Sequence, residues 1–264
     1  MKNLFRALLS LGVLAVYLHF ERKRPLRSEI EPKLRHVARN LTMAGLSAIT
    51  IQTLETPIVS PLARWVGRNR VGVLKLRSLP RWLEVALAVG LMDYTLFLWH
   101  IFTHKNALLW RFHAVHHADL DLDASTALRF HFGELALSVP YRALQLLILG
   151  IDQESFEVWQ KFLALSILFH HSNVRLPLTA ERLLSRLIAT PRMHGIHHSQ
   201  NFAEQWTNWS SGLALWDYLH GTYCFDVPQE SINIGLQGAT ERADVTLPRI
   251  VEMPFVTDSP QLPE

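Results

Sequence analysis

Cysteine is nearly missing from this 264-residue chain, where Cys224 stands alone. One thiol makes no intrachain disulfide, no Cys₄ or CxxC metal site and no iron–sulfur cluster. A GxGxxG fingerprint is also absent, so no Rossmann nucleotide site is built in, and no haem-attachment motif is fused to the chain. Repeats of fixed period and low-complexity segments are lacking as well. A metal in this protein must therefore rest on imidazole and carboxylate. Imidazole is what the chain has in quantity, with 14 histidines, each able to carry a proton or bind a metal.

Hydrophobic residues make up 49% and the net charge is +3. The apolar residues come in blocks, with Arg and Lys between them. A basic chain patterned this way suits anionic lipid headgroups better than nucleic acid. Leu4 to Phe20 is apolar between Lys2 and Arg6 on one side and Glu21-Arg22-Lys23-Arg24 on the other. No small-residue cleavage site follows it, which favours an uncleaved membrane helix over a signal peptide. Leu41 to Leu62 contains Gln52, Glu55, Pro57 and Pro61, and either spans or re-enters the bilayer. Trp82 to Trp99 reads as a membrane helix running into His100. Leu135 to Leu149 and Phe156 to Phe169 flank Gly150-Ile151-Asp152-Gln153, a turn between antiparallel helices, which returns His131 and His170-His171 to one side. Ala180 to Ala189 looks amphipathic. From Asp226 the chain is polar and proline-punctuated, which predicts an extended tail outside the membrane. The expected organisation is membrane helices and basic loops over 1–80, a catalytic domain over 81–225 and a tail over 226–264, in an all-α, multi-pass bundle.

The histidines form boxes: His100-x-x-x-His104, then His113-x-x-His116-His117, and later His194-x-x-His197-His198. Residues three and four apart share a helix face, so each box is a chelating surface. Eight histidines exceed one coordination sphere and point to two metals. Imidazole suits Zn, Cu, Fe and Ni alike, so spacing leaves the element open. Asp93 lies seven before His100 inside an apolar helix, where an acid is costly and usually functional; orienting a ligand imidazole is its expected role. Asp217 and Glu134 are candidates for the same role, with Asn173 and Asn208 as weaker ones. His19 and His36 are isolated and read as bystanders; His220 is intermediate.

Beyond the histidines, Asp93-Tyr94, Leu109-Trp110-Arg111-Phe112-His113, Thr126-Ala127-Leu128-Arg129-Phe130-His131, His171-Ser172-Asn173, Pro191-Arg192-Met193-His194 and Trp216-Asp217 with Gly221-Thr222 resemble the fatty acid hydroxylase / sterol desaturase superfamily over about residues 90 to 240. Ile101, where that family usually has Arg, and Ala118, where Ser is common, depart from its pattern without touching a histidine. The resemblance implies iron ligands at His100, His104, His113, His116, His117, His194, His197 and His198, with one of His170 and His171, and His131. It implies O₂-dependent hydroxylation or desaturation of a sterol, fatty acyl or related lipid with two iron ions. O₂ is then co-substrate and electrons come from a separate reductase or carrier; the site is expected on the cytoplasmic face, where reduced carriers are available. The rival expectations are a zinc-dependent membrane lipid hydrolase and a non-enzymatic metal or haem membrane protein. Five histidines within 100–117 suit a haem carrier poorly, and the helices lack the polar lining of a metal transporter.

Overall fold

The computed structural model describes residues 2–256, with side chains from residue 12 onward. Among these residues the chain is all helical, with isolated β-bridges and no named strand. α1 (Lys2–Lys23) leads through a basic turn to α2 (Lys33–Thr50). One π-helical turn, Ile51–Glu55, then carries the chain into α3 (Thr56–Asn69). Such widened turns are rare and concentrate at functional sites. The stretch expected to span or re-enter is thus two helices joined by a π turn. Two described helices, α4 (Arg81–Lys105) and α6 (Phe132–Leu149), are long and apolar enough to cross a membrane. At 1.5 Å per residue the 18 residues of α6 reach about 27 Å, close to a bilayer's hydrocarbon core.

α4 ends at Asn106, which also caps α5 (Ala107–His117), its side chain accepting the Leu108 and Leu109 amides at 3.1 Å. That single-residue hinge, a favoured capping type, aims the first two histidine boxes into one space. α6 and α7 (Gln153–His171) form the expected hairpin. Gly150 closes α6 in the left-handed conformation at φ 80°, as helix C-termini favour, and Asp152 caps α7 by accepting the Ser155 amide at 3.0 Å. Val59, Ala63, Ala88, Met92, Leu146, Phe156 and Trp159 pack the α3, α4, α6 and α7 faces into one core. At the turn end, Lys75 and Arg81 converge on Asp152 at 2.6–2.8 Å.

Short helices cover the other end: α8 (Leu178–Leu184), α9 (Pro191–His197), α10 (Phe202–Gln205) and α11 (Leu215–His220), with α12 (Leu247–Glu252) later. The expected extended tail is corrected here. Leu236, Ala239, Val245, Ile250 and Met253 are buried with Trp110, Ala114 and Val115 of α5. Their apolar side chains, spaced among the polar residues that suggested a tail, fold back onto α5 because burial removes them from water. Pro260 and Pro263 lie outside the described residues.

Candidate metal centre

The C-terminal ends of α4, α5 and α7 and the whole of α9 meet at one level and present their histidines inward. They form two groups of four. His100, His104, His117 and His197 make one, and His116, His171, His194 and His198 the other; within each, one ligand-capable atom per residue lies within 4.8 Å of the rest. All eight are buried. The groups share an edge, where His117 stacks on His198 at 4.3 Å between ring centroids.

Hydrogen bonds fix where the lone pairs point. Nδ1 of His100 donates to the Trp209 carbonyl at 2.8 Å, Nδ1 of His197 to the Thr207 carbonyl at 2.9 Å, and Nδ1 of His171 to the Ile167 carbonyl at 2.8 Å. A carbonyl only accepts, so each neutral ring carries its proton on Nδ1 and turns the Nε2 lone pair into the centre, the arrangement of metal-ligating histidines. In the second group the Nε2 atoms of His116, His171, His194 and His198 approach in a chain of 3.0 Å contacts. Nε2 of His104, His113, His117 and His197 is buried without a hydrogen-bond partner. Buried polar atoms are seldom left unpaired, and so many in one place fit a cation-binding site. Burial lowers the affinity of His116, His117, His194 and His198 for protons and holds His197 at about 3. Neutral imidazole is the form that binds metal. The donor set therefore fits two metal ions.

The remaining expected residues fall into place unequally. His113 lies 4.9–5.1 Å, ring to ring, from His100, His104 and His117, with Nδ1 donating to Glu134 Oε1 at 2.8 Å. It stands beside the first group as a further donor, oriented by Glu134. Of the 170–171 pair, His171 joins the second group, while His170 bonds the Ser211 backbone, keeps Nδ1 unpaired and sits 4.1 Å from the His194 ring. His131 is corrected: it caps α6, with Nδ1 accepting the Gly133 amide at 3.0 Å and Nε2 donating to the Val251 carbonyl at 3.2 Å. Both ring nitrogens are used, so neither is left for a metal.

Asp93 does not orient His100. Its Oδ2 accepts the Leu213 amide at 2.8 Å and the Trp216 indole at 2.7 Å, which ties the loop before α11 to α4. Gly212 is required in that loop, because a Cβ there would collide with the Asp93 carboxylate and Phe162. Asp217 acts at one remove: it accepts the Trp209 amide at 2.8 Å, the Ser210 amide at 3.0 Å and the Thr222 hydroxyl at 2.7 Å, so it holds the peptide whose carbonyl holds His100. Asn208, at φ 56°, donates to the Met193 and Cys224 carbonyls and locks the same loop to α9. Asn173 pairs with the Arg27 backbone. His220 contacts Tyr94 at 3.2 Å, away from the centre, and His19 is exposed.

His36 is no bystander. It is buried between Asp119 at 2.9 Å and Asp123 at 3.0 Å. The two carboxylates, outweighing the cost of burial, raise it to about 10 and hold it charged. Arg39 bridges Glu31 and Asp119, and Lys33 reaches Asp123 and Glu21. This network ties α1 and α2 to the loop that leaves His117. Although Glu31, His36 and Asp119 lie close enough to suggest a third metal, the arginine and the doubly bonded imidazole already satisfy the carboxylates.

An apolar cavity of about 380 Å³ opens onto both groups, reaching His100, His113, His116, His171 and His194. α2, α4, α6 and α7 wall it.

Residues 85–222 match the fatty acid hydroxylase family. The chain is 31% identical over 159 residues to the ornithine lipid hydroxylase OlsE of Rhizobium tropici, covering 60% of this chain and 47% of that protein. It is 28% identical over 156 residues to the alkylglycerol monooxygenase of Homo sapiens, covering 59% and 33%, and 30% identical over 133 residues to that of Danio rerio, covering 50% and 28%. The chain thus matches half or less of the length of these curated relatives. No solved structure matches it.

Proposed function

Because this chain belongs to the fatty acid hydroxylase family, we propose that it is a membrane-bound diiron oxygenase acting on a lipid C–H bond, with hydroxylation as the outcome. The observation that carries the proposal is the paired set of four buried histidines at the floor of an apolar cavity. Iron changes oxidation state where zinc does not, and so supplies the chemistry of an unactivated C–H bond. The protein's part is positional. The Trp209, Thr207 and Ile167 carbonyls and the Glu134 carboxylate keep protons on Nδ1 and lone pairs on Nε2. Leu96, Leu135, Leu163 and Ile167 hold an alkyl chain against this surface and exclude water.

Both the ornithine lipid hydroxylase and the alkylglycerol monooxygenases are named for oxygen insertion, which favours hydroxylation over desaturation. O₂ is the co-substrate. Electrons come from a separate reductase or carrier, as the chain has no nucleotide fingerprint and no cysteine cluster. We place the chain in the membrane as a multi-pass protein with the metal end on the cytoplasmic side, where reduced carriers are available. α4 and α6 support this placement. So do the exposed leucines of the cap, Leu183, Leu187, Leu215 and Leu219, interleaved with Arg182 and Arg186 as at a lipid interface.

The test is protein purified anaerobically from iron-replete cells. About two metal ions per chain are expected, since the donors exceed one coordination sphere. Lipid product should form only with O₂ and reductant. One ion per chain, or turnover without O₂, would overturn the proposal and return the zinc hydrolase.

A further inference from the structure

The cavity has a second end, and it is charged. On α6, Glu134, Ser138 and Arg142 all line the cavity at intervals of four residues, which places them on one face. Arg142 therefore stands about 12 Å along the helix from the carboxylate that touches His113. On α7 the lining runs from His170 back to Gln160 and Trp159, about 15 Å away from His170 at Gln160. These far ends meet, because the Arg142 guanidinium lies 4.4 Å from the centre of the Trp159 ring. The π turn brings Glu55 to the same end. Between the two ends the walls are mostly apolar, with Leu96, Leu135, Leu163 and Ile167 beside the hydroxyls of Ser47 and Ser138.

Arg142 is a lightly partnered, half-buried cation in the middle of an apolar helix. Of its five N–H donors, Nη1 alone has a side-chain acceptor among the described residues, Gln145 at 2.6 Å. Gln145 is itself tied to Thr95. Among the described residues no carboxylate pairs directly with Arg142, although Glu55 is near enough to act on it through space. An ionised group inside a candidate membrane span is expensive and marks function by default. Two opposite charges that share a cavity wall without closing on each other leave room for a group carrying both.

Resting on the oxygenase proposal above, we infer that this end binds the zwitterionic headgroup of an amphiphilic substrate. Its anionic oxygen meets Arg142, its ammonium meets Glu55, and the apolar stretch holds the chain so that a carbon about 12 Å away along α6 faces the histidines. Arg142 and Glu55 then select the lipid class and set the position attacked, since an unpaired site charge penalises a neutral competitor.

The test is binding, read by calorimetry on full-length protein in neutral-lipid nanodiscs after subtraction of empty discs. Four probes share a twelve-carbon chain: dodecylphosphoethanolamine, laurate, dodecylamine and dodecanol. The zwitterion should bind tightest. R142Q should weaken the zwitterion and laurate by about ten- to a hundredfold, the worth of a charge-assisted hydrogen bond, and leave dodecanol unchanged. R142K should retain part of the binding, and E55Q should move the preference toward laurate. Equal binding of all four probes by the unaltered protein overturns the inference, even if R142Q does not fold. Equal weakening of dodecanol by R142Q overturns it too, as does phosphoethanolamine without a chain binding as tightly as the amphiphile. None of these readouts needs turnover. Loss of headgroup preference with two metals and O₂-dependent product sinks this inference alone; headgroup preference without them sinks the oxygenase.

Discussion

Two kinds of buried histidine meet at one loop, since His36 bonds Asp119, two residues beyond His117, and they carry different charge states. His36 is as deeply buried as His117, yet the first is held protonated and the second neutral. Burial alone disfavours the charged form of both. The difference is company: His36 lies between two carboxylates, whereas His117 lies among other imidazoles. One histidine acts as a cation cementing a loop. The others are neutral lone-pair donors grouped so that they could hold a metal.

The comparison breaks most completely at the donors. His116→Ala and His197→Ala remove one member from each group, and each should abolish lipid product and cut bound metal from about two ions to about one, read by elemental analysis. His131→Ala should keep both ions, since both of its nitrogens serve the backbone; metal loss there would return it to the ligand set.

Next in size is His36→Ala. It removes the buried cation that Asp119 and Asp123 share and leaves them Arg39 and Lys33, so the loss is at most the about 3–5 kcal/mol of breaking a buried ion pair. Thermal unfolding in detergent should show it, and an unfolding temperature equal to wild type would refute the network's role. His19→Ala, by contrast, should stay within about 0.5 kcal/mol.

Smaller again is Glu134→Gln, which weakens the hold on the His113 proton. Partners of metal-bound histidines of this kind are worth about 10- to 100-fold in metal affinity or activity. Asp93→Asn should act on folding of the loop before α11 and leave metal affinity largely intact, because Asp93 touches no histidine.

The gentlest probe is pH. In metal-free protein the unfolded chain takes up protons below about 6.5, while His197 resists protonation until about 3. The centre therefore loses stability as pH falls from about 6.5 toward about 3. His36 has the reverse sign. Its contribution is full below about 6.5 and fades as pH rises toward about 10. His36→Gln should flatten the alkaline limb of the stability profile and leave the acid limb in place.

The boxes were legible because helix periodicity turns three- and four-residue spacings into a face, and the apolar blocks located α4, α6 and α7, although α4 runs six residues beyond Trp99 and α6 and α7 each begin three residues before their apolar blocks. What stayed hidden has physical causes. The carbonyls of Trp209, Thr207 and Ile167 that orient the rings leave no sequence mark, as every residue has one. His36 looked isolated because its partners come 83 and 87 residues later; the acids at 119, 121 and 123, set against His36, Arg39 and Asn40 on one helix face, were the available signal. His131 sat in a motif, but its position just before a helix gave it a capping task. The segment after Asp226 read as polar because its buried residues are few and widely spaced.

That last segment also bears on how the protein is made. The first group closes only when His197 and the carbonyl of Trp209 reach helices laid down about a hundred residues earlier, and the covering side chains at 236–253 come later still. During synthesis the α4 and α5 histidines are made before their partners on α7 and α9. On the proposed function, the four-histidine groups are therefore complete for metal only after most of the chain has been made.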